Sequence, residues 1–406
     1  MESLDSYRQE ISTWLEANCP RSQRLPREGE EPVPWGSPEI PKEAQVWLER
    51  CADAGLTCPT WPTEYGGAGL SKEQDKVLKQ ELGRIGAQLP GQSFGTHMLG
   101  PVLLELGTEE QKQRFLPDII HNRVIWAQGY SEPGAGSDLA SLQTRAERVG
   151  DEYVINGSKI WTTGANRADW MFCLVRTDPD APKHDGISFI LFDLKSPGVT
   201  ISPIELISGA SEFCQVFFED VRAKADNLVG EKNKGWAIAK RLLQYERTMI
   251  SGMGTGGSGG AGGVVKKKRV AKRYRSMADI ALPYVGERDG KLADPNMRSL
   301  VTQNEMDTLC FSLTMKRAGE EAKAAKGPSH TASMFKWYGT ELNKRRNEIL
   351  ISALGTQALG WEGEGFLDHE LQQTRGWLRS KGNSIEGGTS EVQMNVIAKR
   401  VLGLPD

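Results

Sequence analysis

The sequence predicts an α+β protein in three parts: an N-terminal α-helical domain over residues 1–123, a middle β-barrel or sandwich domain over 124–230, and a C-terminal α-helical domain of the four-helix-bundle type over 231–406. Two changes of hydrophobic period mark the joins, since apolar residues recur every three or four positions on a helix and every second position on a half-buried strand. The period falls to two near Val124 and becomes helical again beyond Gly235. Length agrees, because 406 residues exceed what one core of roughly 100–150 residues organises, and two or three domains are expected.

In the first part, Leu4, Tyr7, Ile11 and Leu15 fall on one helical face. Lys42 to Ala54 and Lys72 to Leu82 repeat that spacing, and Pro59-Thr60-Trp61-Pro62 and Tyr65-Gly66-Gly67-Ala68-Gly69 interrupt it. Glu109 to Phe115 reads as a short amphipathic turn before Leu116-Pro117. In the second part, Glu152 to Ile155 and Ser158 to Trp161 flank Asn156-Gly157, a pair that supplies the positive φ values of a type I′ turn, so a hairpin is predicted there. Trp170 to Arg176, Gly186 to Leu194, Val199 to Pro203 and Phe213 to Phe218 are further strands. In the third part, Trp236 to Ile250, Val301 to Glu321, Met334 to Leu359 and Val392 to Leu402 are helical. Between the first two lies Ser251 to Gly263, where eight of thirteen residues are Gly. Each Gly costs a helix roughly 1 kcal/mol relative to Ala, so a loop or frayed helix end is expected.

Composition removes several function classes. Lys and Arg number 50 against 53 Asp and Glu, a net charge of -3 that calls for neither nucleic acid nor an anionic membrane. The basic run Lys266 to Arg273 is local and reads as a solvated face. Six cysteines form no CxxC pair, which suits reduced thiols, and five histidines lack metal-ligand spacing, so no metal site is expected. No apolar run is long enough to span a bilayer. The first twenty residues carry acids within a helical pattern, unlike a secretory or transit peptide. A bacterial cytoplasmic protein is the simplest reading, and a processed protein of the mitochondrial matrix would look the same.

The stretch with most chemical content runs from Ala127 to Gly164. Its loop, Ser131-Glu132-Pro133-Gly134-Ala135-Gly136-Ser137-Asp138, offers hydroxyls and close backbone approach, as a ligand-binding loop does; a plain surface turn has the same composition. Residue order says more. This loop, Trp161-Thr162-Thr163, and Gly387-Gly388-Thr389-Ser390-Glu391-Val392-Gln393 together resemble the acyl-CoA dehydrogenase family, in family order and spacing over nearly the whole chain.

The resemblance implies non-covalent FAD and oxidation of the Cα–Cβ bond of an acyl-CoA thioester to the trans-enoyl-CoA, with electrons passing to an electron-transferring flavoprotein. It places Gln128, Tyr130, Ser131, Gly136 and Ser137 in the flavin and thioester loop, with Ser137 also near the CoA arm. Trp161 and Thr163 match residues covering the flavin, Gln357 and Gly360 match an adenine contact, and Thr389 and Glu391 match residues near the diphosphate and ribose. Removing the α-proton needs a carboxylate in apolar surroundings, and the enolate charge needs fixed donors on the thioester oxygen. Many members carry that carboxylate where this chain has Gly387, with Glu386 one place earlier. Members resembling isovaleryl-CoA dehydrogenase carry it in a helix-borne Glu-Arg pair, here Glu246-Arg247. Glu246 is therefore the expected base with Glu386 the alternative, Arg247 faces substrate, and the Gly387 N–H still polarises the carbonyl.

The chain also departs from the family pattern. Gly290 to Arg298 lacks the Arg-x-x-Phe-Gly-x-Pro segment that reaches a neighbouring subunit's FAD, which leaves Arg298 as the candidate phosphate partner there. A homodimer or homotetramer is expected, and a non-catalytic or partner subunit of a two-gene complex is the second reading. A nucleic-acid-binding branch of the fold is the third.

Overall fold

The computed structural model describes residues 3–24, 41–252, 276–324 and 331–405. The first helices are α1 (Leu4–Asn18), α2 (Lys42–Asp53), α3 (Lys72–Ile85), α4 (Gly100–Leu106) and α5 (Glu109–Ile120). Ser71 with Gln74, and Thr108 with Gln111, form capping boxes that start α3 and α5 by satisfying otherwise unpaired N–H groups. The short turn expected over Glu109 to Phe115 is instead the twelve-residue helix α5, which runs through Pro117. The proline stands in the last turn, where one backbone bond is lost, and buried Leu116, Ile119 and Ile120 anchor the helix on both sides of it.

The strands are β1 (Trp126–Gly129), β2 (Arg145–Val149), β3 (Glu152–Thr163), β4 (Trp170–Arg176), β5 (Ile187–Asp193), β6 (Val199–Ile204), β7 (Phe213–Lys224) and β8 (Leu228–Val229). They form one sheet in the order β6-β7-β3-β2-β4-β5-β8, with β1 parallel to β4. Residues on β4 and β5 are buried on both faces. Met171, Cys173, Val175, Ile190 and Phe192 enter one core with β3 and β7. Phe172, Leu174, Phe189 and Leu191 enter another with α4, α5 and the start of α6 (Gly235–Gly252).

The hairpin expected at Asn156-Gly157 is also corrected, because β3 runs unbroken through both residues. Asn156 pairs with Arg145 of β2, and Gly157 pairs with Phe218 of β7. The pair instead sits opposite a bulge, in which Glu219 and Asp220 occupy the space of one residue and Asp220 takes φ +53. Gly157, at φ +143, is required because a Cβ there would lie 2.8 Å from Thr144 Cα. The chain reverses at Gly150-Asp151, between β2 and β3.

Beyond α6 come α7 (Met277–Val285), a short ribbon of β9 (Glu287–Arg288) and β10 (Lys291–Leu292), α8 (Pro295–Ala324), α9 (Thr331–Leu354), α10 (Asp368–Ser380) and α11 (Ser390–Val396). Met277, Ala281, Met297, Val301, Ile349, Leu350 and Ala353 make a core where α7, α8 and α9 meet. The order helical, β, helical is the one the sequence predicts. Two compact units result, Met1–Ile204 with Glu212–Met249, and Glu205–Ser211 with Ile250–Asp406. The glycine-rich stretch beyond residue 252 and the basic run Lys266 to Arg273 lie outside the described residues. Among the described residues no helix is long and apolar enough to cross a membrane, and no three His, Cys, Asp or Glu side chains gather as a metal site.

Candidate active site

In the first unit the loop after β1 is built around a buried ion pair. β1 lies against β4 closely enough that a Cβ on Gly129 would meet Met171 Sδ at 2.4 Å. Gln128 is half-buried beside Phe172, and Tyr130 is buried with its ring edge-on to Phe172. Glu132 then turns inward. Its carboxylate accepts from Lys159 Nζ at 2.7 Å and from the N–H groups of Gln143 and Thr144 at 2.6 and 2.9 Å. Lys159 Nζ also donates to Tyr130 O at 3.0 Å, and no part of its side chain is exposed. Burial pushes the Glu132 carboxyl upward, but the Lys159 charge and the hydrogen bonds outweigh it and hold the group below the usual carboxylate range. Glu132 is thus a structural anion, saturated with donors.

Backbone bonds between Glu132 and Ala135 close the next turn, and a Cβ on Gly134 or Gly136 would meet open space. Ser131 is half-buried, and Ser137 is exposed. Asp138 pairs with Lys183 and Ser141, which holds its carboxyl below the usual range. Buried Arg176 donates to the carbonyls of Ala140, Leu142 and Lys183 and pins the far side of the loop. The near side is zipped to β3 by Ile160 N donating to Ser131 O at 2.8 Å.

That zipper sits on a second bulge. Lys159 faces Val216 and Thr162 faces Cys214, so Ile160 and Trp161 oppose a single residue of β7. Trp161 takes φ +59, a left-handed conformation that disfavours bulky side chains by roughly 1–2 kcal/mol. Its indole stands edge-on to Phe213 at 6.1 Å and remains 54% exposed. Thr162 Oγ1 is buried without a hydrogen-bond partner among the described residues, and Thr163 is half-buried beside it. An exposed aromatic plate on a strained bulge, next to an open glycine and serine loop, suits a flat ring cofactor such as FAD.

Helix α6 carries Glu246 and Arg247, whose side chains lie outside the described residues. One residue earlier, Tyr245 Oη donates to Glu105 of α4 at 3.0 Å, and Arg241 Nε donates to the same oxygen at 2.7 Å. The Arg241 guanidinium lies over the Tyr245 ring at 4.9 Å. The Arg241 bond holds the Glu105 carboxyl low.

In the second unit, Glu386 accepts from Arg379 of α10 at 2.8 Å and from Asn383 Nδ2 at 2.5 Å. Gly387 and Gly388 follow at φ +62 and +88, and Thr389 caps α11 by accepting from Val392 N at 3.2 Å. Glu391, in the first turn of α11, is held low by its own N–H and by the Thr389 hydroxyl. Gln357 Oε1 is buried without a hydrogen-bond partner among the described residues, as a polar group awaiting a ligand would be. Gly360 packs under Phe366, whose ring would lie 2.5 Å from a Cβ there, and Trp361 stacks on Arg375 at 4.8 Å. Arg298 donates to the carbonyls of Leu292 and Ala293, which turns it to its own helix start.

Models of all three parts of one enzyme family match the chain: acyl-CoA dehydrogenase N-terminal domain at residues 2–123, middle domain at 127–221 and C-terminal domain at 269–402. The chain belongs to the acyl-CoA dehydrogenase family, whose members are FAD flavoproteins, and it is an oxidoreductase acting on acyl-CoA. It is 36% identical to acyl-CoA dehydrogenase IpdE1 of Mycobacterium tuberculosis over 411 residues, covering 100% of this chain and 99% of the relative. Among solved structures it resembles the Tcur3481-Tcur3483 steroid ACAD, at 30% identity and TM-score 0.70 over 100% of this chain and 99% of that one. It also resembles the ChsE4-ChsE5 complex of Mycobacterium tuberculosis, at 28% identity and TM-score 0.68 over 100% and 98%.

The pair Glu132–Lys159 had no functional assignment in the sequence reading, yet its signal was present. Tyr153, Ile155 and Lys159 share one parity of β3, and the first two are buried. A lysine on the buried face of a strand requires an anion.

Proposed function

We propose that the chain dehydrogenates an acyl-CoA thioester at Cα–Cβ to the trans-2-enoyl-CoA, with Glu246 taking the α-proton and the Gly387 N–H bonding the thioester oxygen. The observation that carries the reading is the exposed Trp161 indole on its left-handed bulge, zipped to the loop that presents Ser131, Gly136 and Ser137. Bound FAD supplies the acceptor for the β-hydride, and an electron-transferring flavoprotein is the proposed oxidant of the reduced enzyme. Gln128, Tyr130 and Thr163 flank the ring site. Gln357, Gly360, Thr389 and Glu391 are the candidates for the nucleotide half, the orphaned Gln357 Oε1 being the clearest of them. Ser137 and Arg247 are assigned to the acyl-CoA.

Glu246 is preferred to Glu386 because the latter carboxylate already serves Arg379 and Asn383. A carboxylate base is favoured by apolar surroundings, and the Glu386 side chain is 42% exposed. Likeness to a steroid ACAD supports a bulky, ring-bearing acyl group. A second reading, that the chain works as one subunit of a two-component enzyme, is favoured by likeness to the ChsE4-ChsE5 complex. We assign residues 1–123, 124–230 and 231–406 to the three domains and place the protein in the cytoplasm, as its bacterial relatives suggest.

Anaerobic titration of wild type and Glu246→Gln with a panel of acyl-CoAs, followed by flavin absorbance, tests the proposal. Wild type should bleach with one class of acyl-CoA, and the variant should keep its FAD without bleaching. Normal bleaching of the variant would refute Glu246 as the base. FAD retention only after co-expression with a second chain would establish the two-component reading.

A further inference from the structure

The turn that carries Gly387 is tied to α9 at Asn383, whose carbonyl accepts from Lys336 Nζ and Thr340 Oγ1 and whose Oδ1 accepts from Asn343. Lys336, on α9, is half-buried and donates from Nζ to Asn383 O at 2.9 Å. Its Cε lies 4.0 Å from the point where a Cβ on Gly387 would stand. Nζ is one bond of roughly 1.5 Å further along. Neighbouring carboxylates are engaged elsewhere: Glu386 with Arg379, Glu341 with Lys344, and Glu391 with its own N–H and Thr389. Lys336 forms no ion pair among the described residues. Burial draws its pKa down, against the upward pull of Glu386, Glu341 and Glu391 and with a small downward push from Lys344.

We propose that Lys336 sets the charge of the Gly387 site: through Asn383 it holds the turn, and its ammonium favours negative charge on whatever the Gly387 N–H binds while disarming any carboxylate placed at position 387. The inference rests on the proposed role of Gly387 toward the thioester. A fixed cation beside an oxygen that gains enolate charge lowers the barrier. The same cation beside a carboxylate base lowers its pKa and weakens it as a proton acceptor. This arrangement gives a physical reason for the base to stand on α6 in this chain, since a glutamate at 387 would have its Cβ 4.0 Å from Lys336 Cε and its carboxylate within reach of Nζ. Lys336 is a positioning residue, because it acts through the turn and the field it creates.

The test uses the full-length, FAD-loaded protein and variants Lys336→Met, Lys336→Arg, Gly387→Glu and Gly387→Glu/Lys336→Met. Melting temperatures are measured from about pH 2.5 to about pH 7, a range that spans an ordinary and a depressed glutamate, with no substrate present. The carboxyl introduced at 387 should titrate at least one unit lower, a tenfold effect, with Lys336 present than in the Lys336→Met background. The Gly387→Glu protein should therefore outlast the double variant near pH 7 and lose that advantage as the pH falls through its depressed carboxyl pKa. Equal titration in the two would overturn the proposal. In a Glu246→Gln background, Gly387→Glu should leave the flavin unbleached by acyl-CoA, and adding Lys336→Met should restore bleaching; restoration with Lys336 in place would also overturn it. With Gly387 native, Lys336→Met should lower kcat about tenfold with little change in KM, and Lys336→Arg should retain most of it. If Glu246→Gln bleaches normally, the assignment of Glu246 fails while the substrate-free titration still reads Lys336.

Discussion

Breaking the Glu132–Lys159 pair should be among the most damaging single changes in the first unit. In Lys159→Met, the Glu132 carboxylate stays buried and keeps the N–H groups of Gln143 and Thr144 but loses its counter-charge. Removing one partner of a buried pair costs about 3–5 kcal/mol. At roughly 2–4 °C per kcal/mol for a unit of this size, melting falls by about 6–20 °C. Glu132→Gln should cost a similar amount, because it strands an ammonium with no exposed atom. The double variant Glu132→Gln/Lys159→Met should recover part of the loss, since no charge is left alone, although the amide oxygen replaces only one of the two carboxylate oxygens that accept from Gln143 and Thr144. The pH dependence follows from the depressed Glu132 carboxyl. Its contribution is fully present above the unfolded value near about 4.3 and disappears as the pH falls through the lower folded value, so wild type and Lys159→Met converge in acid. Thermal melts followed by circular dichroism at pH 7 and across the acid range provide the readout. A Lys159→Met protein melting within about 1 °C of wild type, or single losses that simply add in the double variant, would refute the reasoning.

Three further outcomes are expected. Trp161→Gly should weaken FAD binding about tenfold or more, measured by equilibrium dialysis, while the apoprotein melts no lower than wild type, because glycine relieves the left-handed strain at φ +59. Glu386→Gln should change melting by no more than about 0–1 kcal/mol, as a partly exposed pair with Arg379 is worth, and should leave acyl-CoA bleaching at the wild-type rate. Gly157→Ala forces a Cβ to 2.8 Å from the Thr144 backbone at φ +143 and should cost about 1–3 kcal/mol, seen as a lowered denaturation midpoint with unchanged flavin content.

Regular periods were legible in the sequence, and local exceptions were not. β4 occupies Trp170–Arg176 as predicted, because a continuous apolar run suits a strand buried on both faces. Asn156-Gly157 misled because the same dipeptide that turns a hairpin also fits opposite a bulge. The neighbouring strands β2 and β7, distant in sequence, decided between the two. Helices α4, α7 and α10 passed unnoticed. The first is seven residues long, α7 contains Pro283, and α10 carries a mostly polar surface with Glu370, Thr374 and Ser380 among its buried positions. Of the site, Trp161 and its loop were visible through residue order, whereas no pattern announces the φ +59 that turns the indole outward. The commitment of Glu386 to Arg379 needed α10, and the place of Lys336 beside Gly387 needed the packing of α9 on the turn at Asn383.

The double-sided burial of β4 and β5 bears on modularity. Family models cut the chain near residues 123 and 127, as though the helices and the sheet were separable. Yet Phe172, Leu174, Phe189 and Leu191 complete their core only with Leu103, Leu116, Ile120 and Leu242 from the helices on either side in sequence. Excised alone, the β segment would present those four side chains to water and be driven to self-associate. The boundaries of homology and of cooperative folding therefore differ here, and a shortened version meant to fold independently must retain the preceding helices and the start of α6.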